Sequence, residues 1–483
     1  MGMRKQKKLM HIFHFAAECY PVAKVGGLAD VVGALPKYQQ KAGLKASVII
    51  PYYEKPFIKA HTFIDVYQGY IQQGAESRPY SILRELNDSL GFELFLVKIP
   101  GLLDRPEIYS YPDEYEQFLA YQHAALDWLC AAGIRPDIIH CHDHHAGLIP
   151  FYIENAQQFD FLKGIPTVAT VHNGQYQGWL DWDNAFLLPS FDTWKWGLVD
   201  WNGLINPLAA LIKCCWAYTT VSEGYLQELY QEANGLESLF LAEKEKSYGI
   251  INGIDTDVWN TKTDDMLTAN FSLTNITKGK DLNKKTLCLT YHLDENLPLI
   301  AFIGRFAFEK GADILPGTLL RVLEEFKGRF NFLILGSGDK KLEQTLEQIS
   351  KDYSEHFALY IGYNEELAHQ VYASADYLFM PSRVEPCGLN QLYAMRYGTV
   401  PIVRSTGGLR DTVKDLDTAD GYGILFENAT VEDAIEAIKR ALDFWHKTNS
   451  NTFSFLQKKL MKLDFSWERS SAKYTELYNK LID

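Results

Sequence analysis

The chain of 483 residues has no apolar run long enough to cross a membrane, so no spanning segment is expected. It is also short of positive charge: 47 Lys and Arg stand against 61 Asp and Glu, for a formal net charge of −14. That balance argues against nucleic acid or an anionic membrane as the main partner, but not against a small anion in a locally basic cleft. Cysteine is sparse and unpatterned. The seven, at positions 19, 130, 141, 214, 215, 288 and 387, show no paired metal-type spacing and are odd in number. A reduced, cytoplasmic setting fits this usage; a disulfide framework does not. There is no low-complexity run and no short-period repeat, which leaves a repeat array without support. The start, "MGMRKQKKLMHIFHF", is basic and then apolar in the manner of a leader. Its apolar part is short, holds histidines and runs straight into a glycine loop, so it reads as a first core strand.

What the sequence does contain suits a large soluble protein. It is 47% hydrophobic and 22% charged, and its length suggests two domains. Aromatic content is 13%, with 28 Tyr and 10 Trp, which serves sugar stacking and core packing equally well. Two stretches read as the opening of an α/β domain. In the first, a strand near Met10–Phe15 leads through "AAECYPVAKVGG" to a helix from about Gly27 to Ala42 and a β-branched strand, "LKASVIIP". The second opens at "LPLIAFIGRFAFEKGADILPGTLLRVLEEF" and continues through "NFLILGSGD", "FALYIGY", "DYLFMPS" and "TVPIVRS". Such alternation favours parallel sheets with right-handed crossovers and ligands at the carboxyl ends of the strands. Between the halves, the polar stretch "INGIDTDVWNTKTDDMLTANFSLTNITKGKDLNKKTL" reads as linker and boundary.

Several stations carry chemistry-bearing residues. Lys24 with Gly26 and Gly27 lies between strand and helix, either as an anion-holding loop or as an ordinary turn with a solvated lysine. Arg305 and Lys310 in "RFAFEKG" have the placement a diphosphate clamp needs, or are a pair of surface cations. Glu385, in "SRVEPCGLNQLYAMRYG", can bind sugar hydroxyls or simply complement a helix dipole. Cys387 beside it lacks a nearby His in sequence and suits a small buried role better than a nucleophile. Gly407-Gly408 repeat the strand–glycine–helix device. "IIHCHDHHAGLIP" looks like a metal site, yet neighbouring histidines point in different directions, and hydrogen bonding or helix capping explains them too. His172 follows another apolar strand in "TVATVHNGQYQG".

Taken in order, these stations resemble the bacterial glycogen synthase and plant starch synthase family of retaining glucosyltransferases. The resemblance runs from "KVGGLADVVGALPK" through "DRPEIY", "RPDIIHCHDHHAGL", "TVHN", "TTVS", "INGID", "GRFAFEKG" and "IGY" to "SRVEPCGLNQLYAMRYGTVPIVRSTGGLRDTV" and "FSWERSSAKYTELY". It implies an α/β chain of GT-B type, with two Rossmann-like domains facing each other across a deep cleft. The first would span 1–256, the donor-binding second 257–463, and a last helix at about 464–483 would return to the first. The implied activity is transfer of glucose from ADP-glucose to the non-reducing end of an α-1,4-glucan with retention, without metal or other cofactor, in the cytoplasm. By the same resemblance, Lys24 and Asp30 contact the donor, Arg305 and Lys310 hold its diphosphate, and Glu385 binds the transferred glucose. Backbone around Cys387, Gly388, Leu389, Thr406, Gly407 and Gly408 completes the cradle. His172 and Asp143 line the acceptor side, Asn252 sits by the hinge and Tyr363 stacks on the base.

Departures from the family pattern bear on donor preference and acceptor affinity. Val25 stands where bacterial members have Thr, Leu103 where an aromatic is usual, and Ala209 and Trp216 where a Leu-Lys and an Ala-Asp pair are expected. The rival readings are a non-catalytic glucan-binding homologue and a synthase that uses UDP-glucose. A glucan phosphorylase would need a pyridoxal phosphate lysine, for which no motif is present.

Overall fold

The computed structural model describes residues 9–482; positions 1–8 and 483, which the expected domain ranges include, lie outside the described residues. The chain divides into two units. One comprises Met1–Val221, Leu226–Gly253 and Trp467–Asp483, the other Ser222–Tyr225 and Ile254–Ser466. The division thus falls three residues before the expected 256, and the return falls at 467 rather than 464. The short excursion at 222–225 has no signal in the sequence.

In chain order the first unit supplies β1 (His11–Phe15), β2 (Lys45–Pro51), β3 (Phe63–Gln73), β4 (Glu76–Glu85), β5 (Glu93–Lys98), β6 (Ile138–His142) and β7 (Thr167–Val171). A small ribbon, β8 (Asp200–Trp201) and β9 (Leu204–Ile205), precedes β10 (Ala217–Thr220) and β11 (Ser247–Gly249). The main sheet runs β11-β10-β7-β6-β1-β2-β5-β4-β3. It is parallel as far as β5, and β4 then pairs antiparallel with both of its neighbours. This edge hairpin was not foreseen. β3 is largely exposed, with only Ile71 and Gln73 buried, and β4 becomes buried only in its second half, as a solvated antiparallel edge does. β1, by contrast, is buried almost throughout because both faces of the sheet are covered. Helix Gly27–Lys41 lays Val31, Leu35 and Tyr38 on one face. Beside them helix Trp467–Ile482 buries Trp467, Tyr474, Leu477 and Tyr478, a stripe at helical spacing, against Ile12, Ile138 and Val168 of the sheet.

The second unit holds β12 (Leu299–Phe306), β13 (Asn331–Gly338), β14 (Phe357–Ile361), β15 (Tyr377–Met380), β16 (Val400–Arg404) and β17 (Ile424–Phe426). They form one parallel sheet ordered β14-β13-β12-β15-β16-β17. Strand residues alternate between two cores. Ile300, Phe302, Ile334, Phe379 and Ile402 enter one, while Leu299, Ala301, Leu335, Leu378 and Val403 enter the other. With both faces apolar, the strands read as unbroken hydrophobic runs. The order reverses beside β12, as it does beside β1 in the first sheet, and crevices at such switch points collect ligands.

The stretch expected to be a linker, Ile251 to Leu287, is a correction. Only its first residues lie at the division; the remainder is packed into the second unit. Helix Ile276–Tyr291 buries Lys280, which donates to the carbonyls of Tyr372 and Tyr397 and to Thr399 Oγ1. Lys284 pairs with the buried Asp376 at 2.7 Å, and Asp264 joins His369 and Tyr397. The segment reads as polar, yet Lys280, Lys284 and Asp264 find their partners inside, while its other lysines and aspartates stay at the surface.

Burial pulls the Lys280 ammonium down to about 7. An unfolded lysine keeps its proton to about pH 10.4, so above pH 7 the unfolded chain binds more protons than the native one. Stability against urea is therefore expected to climb from about pH 7 to about pH 9, and to lose that climb in Lys280→Met. Equal slopes in the two proteins would overturn this account.

Candidate active site

In the first unit, chemistry collects where β1, β6 and β7 end. The loop after β1 is organised by Glu18, a buried residue that sequence reasoning missed. Its carboxylate accepts the backbone N–H of Val25 and of Gly26 and the hydroxyl of Tyr109 at 2.6 Å. Burial, the largest influence, raises its pKa against those hydrogen bonds. Lys24 bonds Asp30 at 2.6 Å and lies over the Tyr20 ring, so the two donor contacts implied by resemblance are brought together. Val25 points outward, 62% exposed. Gly26 and Gly27 would carry a Cβ into open space and neither has positive φ, whereas a Cβ at Gly33 would meet the Tyr20 carbonyl oxygen at 2.4 Å. Packing explains Gly33 but not the glycine pair.

Asp143 follows β6 with φ of 55°. It makes no capping bond to the short helical turn after it. It instead accepts the backbone N–H of His172 at 2.7 Å, tying the end of β6 to the end of β7. Burial lifts its carboxyl to about 7 against the backbone N–H groups of His172 and Asn173. The histidines form a chain. His14 Nδ1 meets His142 Nε2 at 3.0 Å, and His142 Nδ1 meets His172 Nε2 at 3.0 Å. His14 Nε2 reaches Gln39 Oε1 at 2.8 Å, while His140 is held by Tyr478 OH and Thr170 Oγ1, each at 2.7 Å. One ligand atom from each of His14, His140 and His142 falls within 4.8 Å of the others, a spacing that suits a metal ion. Yet all six ring nitrogens of the three are engaged in these hydrogen bonds, which leaves no lone pair for an ion. Asn252 is buried with its side-chain oxygen unpartnered. Leu103 is buried in the core, so the missing aromatic there is not a lost stacking surface. Ala209 is likewise buried, while Trp216 is partly exposed.

In the second unit, three loops knit together around Glu385. Lys310, on the turn after β12, donates to both of its carboxylate oxygens at 2.8 and 2.7 Å. Ser382 Oγ adds a bond of 2.9 Å, and the Glu385 carbonyl accepts the N–H of Gly408 from the loop after β16. The backbone of Arg383 and Val384 binds the Glu309 carbonyl. Gly311, at φ of 65°, lies so close to Pro381 that a Cβ would meet its carbonyl oxygen at 2.1 Å. Gly408 is as constrained, with Cys387 O at 2.0 Å from any Cβ. Cys387 is buried, the small residue on which Gly408 packs. Gly388 and Gly407 have positive φ, Thr406 caps helix Gly407–Thr412 through its backbone conformation alone, and Leu389 precedes helix Asn390–Arg396. Arg305, at the end of β12, is solvent-facing and pairs with Glu309 at 2.8 Å. Tyr363 is 82% exposed after β14. The excursion at 222–225 joins this region: Ser222 Oγ donates to the Pro386 carbonyl, and Gly224 N–H donates to Asp411 at 2.6 Å.

Two parallel-sheet units of this topology, with charged and glycine-rich loops at the strand ends, define a GT-B glycosyltransferase. The starch synthase catalytic domain family matches residues 11–242, and the family of group 1 glycosyl transferases matches residues 290–451. A glycogen synthase of Flavobacterium johnsoniae is 50% identical over 98% of this chain and 99% of its own length. That of Geobacillus stearothermophilus is 34% identical over 98% of both. The catalytic domain of starch synthase IV from Arabidopsis thaliana, bound to ADP and acarbose, superposes with a TM-score of 0.88 at 31% identity, covering 98% of this chain and 99% of that one. A sucrose-phosphate synthase from Thermosynechococcus elongatus shares the fold alone, with a TM-score of 0.61 at 16% identity. The chain belongs to the glycogen synthase and starch synthase family and is a glycosyltransferase of that family.

Two outcomes follow from the first unit. Burial lowers the pKa of His14, His123, His140, His142, His144, His145 and His172, to about 4 for His14 and about 3 for His172. As pH falls below about 6.5 the unfolded chain takes protons that the native one refuses, so stability drops. Asp143 opposes this in part, since its raised carboxyl holds a proton in the native state first. Urea midpoints should therefore decline steeply from about pH 6.5 to about pH 4.5; a flat profile would refute the burial argument. Separately, Val25→Thr should shift stability by less than about 0.5 kcal/mol. Glu18→Ala, which strands two N–H groups and a hydroxyl, should cost about 2 kcal/mol or more in the same titration.

Proposed function

We propose that this glycosyltransferase moves glucose from ADP-glucose to the non-reducing end of an α-1,4-glucan with retention of configuration. The observation that carries the reading is the buried carboxylate of Glu385, gripped by Lys310 and Ser382 where the loops after β12, β15 and β16 meet. Breaking the bond between sugar and phosphate builds positive charge at the anomeric carbon and negative charge on the departing diphosphate. A fixed carboxylate next to the sugar and an ammonium next to the phosphate oppose those charges without reorganising. Lys310 serves as the point charge, Arg305 as the fork for phosphate oxygens, and the backbone from Cys387 to Leu389 and at Thr406 to Gly408 as the cradle. Gly388 and Gly408 allow backbone approach there, and Tyr363 offers an exposed ring for a base.

In the first unit, Lys24 with Asp30 and the open faces of Gly26 and Gly27 serve the donor, and His172 with Asp143 serves the acceptor. The acceptor hydroxyl gives its proton to the leaving phosphate oxygen as the new bond forms on the same face, so the diphosphate departs protonated and configuration is retained. No metal enters this scheme: Lys310 and Arg305 supply the positive charge. The adenine nucleotide is favoured over uridine because the matching starch synthase structure holds ADP. The same reading sets the enzyme in the reducing cytoplasm, in keeping with seven free cysteines. Among the described residues, no helix is long and apolar enough to cross a membrane.

The test is a donor-competition assay on a glycogen primer, with Lys310→Ala alongside. Wild-type protein should prefer ADP-glucose to UDP-glucose, and the variant should lose about 10²- to 10³-fold in kcat. Absence of transfer from either donor would sink the reading, and wild-type turnover in Lys310→Ala would remove the role given to that lysine.

A further inference from the structure

The first unit contains a hydrogen-bond chain that the proposed chemistry leaves unused. It begins at the last helix, where Gln39 Nε2 donates to Tyr478 OH at 3.1 Å. It continues from Gln39 Oε1 to His14 Nε2 at 2.8 Å, from His14 Nδ1 to His142 Nε2 at 3.0 Å, and from His142 Nδ1 to His172 Nε2 at 3.0 Å. Gln39, His14 and His142 are completely buried, and His172 nearly so.

Each ring is neutral, and a neutral imidazole carries one N–H. A ring bonded through both nitrogens must therefore donate on one side and accept on the other. Three such bonds in series have only two collective states, all pointing one way or all pointing the other. Gln39 selects between them. With its oxygen toward His14, His14 donates from Nε2 and accepts at Nδ1 from His142 Nε2–H. His142 then accepts at Nδ1 from His172 Nε2–H. His172 is thereby fixed as the Nε2–H tautomer, and its Nδ1 is left as an acceptor.

The side branch agrees with this sense and helps to set it. Having accepted from Gln39, Tyr478 OH donates to His140 Nδ1, and His140 Nε2–H donates to Thr170 Oγ1. Thr170 passes its proton toward Thr219 Oγ1, and Thr219 donates to the Ala169 carbonyl. A carbonyl can only accept, so the branch ends on a fixed acceptor in this sense and forfeits that last bond in the reverse one.

We propose that Gln39 is a positioning residue that sets the tautomer of His172 through His14 and His142, so that His172 meets a sugar hydroxyl as a hydrogen-bond acceptor at Nδ1. The functional half of this inference rests on the reading of His172 as a substrate contact; the tautomer relay does not. The chain also accounts for two strongly polar residues, His14 and Gln39, in positions that an apolar core would otherwise fill.

The experiment is ring-nitrogen NMR on the full chain with ¹⁵N-labelled histidine, using His172→Gln to assign the His172 signals, with glucose transfer measured on the same samples. Wild type should show His172 protonated at Nε2. Gln39→Glu, whose carboxylate can only accept from His14, should keep that tautomer and most of the activity. Gln39→Met should invert it, because an N–H of His14 facing methionine is worse placed than a lone pair there. The inversion should cost about tenfold in kcat/KM, the size of one lost buried hydrogen bond. Should the methionine variant not fold, Gln39→Leu, which likewise removes the acceptor facing His14, puts the same question to the same signals. An unchanged His172 signature in the folded variant overturns the relay, whatever the activity. An inverted signature with undiminished kcat/KM instead overturns the sugar contact assigned to His172.

Discussion

The ion pair between Lys310 and Glu385 is the interaction around which the second unit's site is arranged. A carboxylate as buried as that of Glu385 is tolerable only with a full complement of partners. Lys310 supplies two bonds and Ser382 a third, and all three residues stand on loops that follow β12 and β15. Removing Lys310 strands the buried Glu385 carboxylate, at a cost of about 3 kcal/mol, whereas the partly exposed Lys310 ammonium keeps access to solvent when Glu385 is removed. The close passage of Gly311 over Pro381 and of Gly408 over Cys387 then appears as the geometry that lets these loops approach closely enough to make the pair. The charges proposed to act in transfer are the same charges that hold the loops in place.

The first unit solves the same problem without net charge. At the ends of β1, β6 and β7 the buried groups His14, His140, His142, His172, Thr170, Gln39 and Tyr478 are neutral and hydrogen-bond to one another in sequence. Neutral chains avoid the cost of burying ions but demand that every donor face an acceptor, so their order is collective. Where a carboxylate does occur, it is anchored by backbone: Glu18 by the N–H groups of Val25 and Gly26, and Asp143 by that of His172. In both cases the carboxylate determines where a loop sits, beside Lys24 in one and the His172 ring in the other.

Much of this was legible in the sequence, and the failures are instructive. Alternating apolar runs identified both parallel sheets, because strands covered on both faces bury residues of either parity. The edge hairpin β3–β4 escaped because its half-exposed pattern lacks a long apolar run. The supposed linker was misread for a related reason: Lys280, Lys284 and Asp264 look solvent-seeking in sequence and become core only when partners far along the chain reach them. Glu18, Gln39 and Tyr478 were missed likewise, since nothing local to any of them signals a partner. Hydrogen bonding, one of the readings open for the run of histidines, is what the structure shows for His140 and His142, and the Asp143 carboxylate among them reaches across to β7.

The glycines separate what the fold needs from what it does not. Gly33, Gly311 and Gly408 are imposed by backbone passing within van der Waals distance, so replacing any of them disrupts packing whatever the reaction. Gly26 and Gly27 face open space with ordinary φ, and no packing term selects them over alanine. Gly26 stands at the N-cap of helix Gly27–Lys41, where glycine is favoured over alanine, so only Gly27, inside the first turn, lowers helix propensity without making room for a neighbour. With Glu18 already holding the backbone of Val25 and Gly26 from beneath, the outer face of that loop is left bare of side chain at two successive positions beside the Lys24–Asp30 pair. The loop is shaped by a carboxylate that already takes the N–H groups of Val25 and Gly26, so a donor lying there, as proposed, would meet the open glycine faces rather than those two N–H groups.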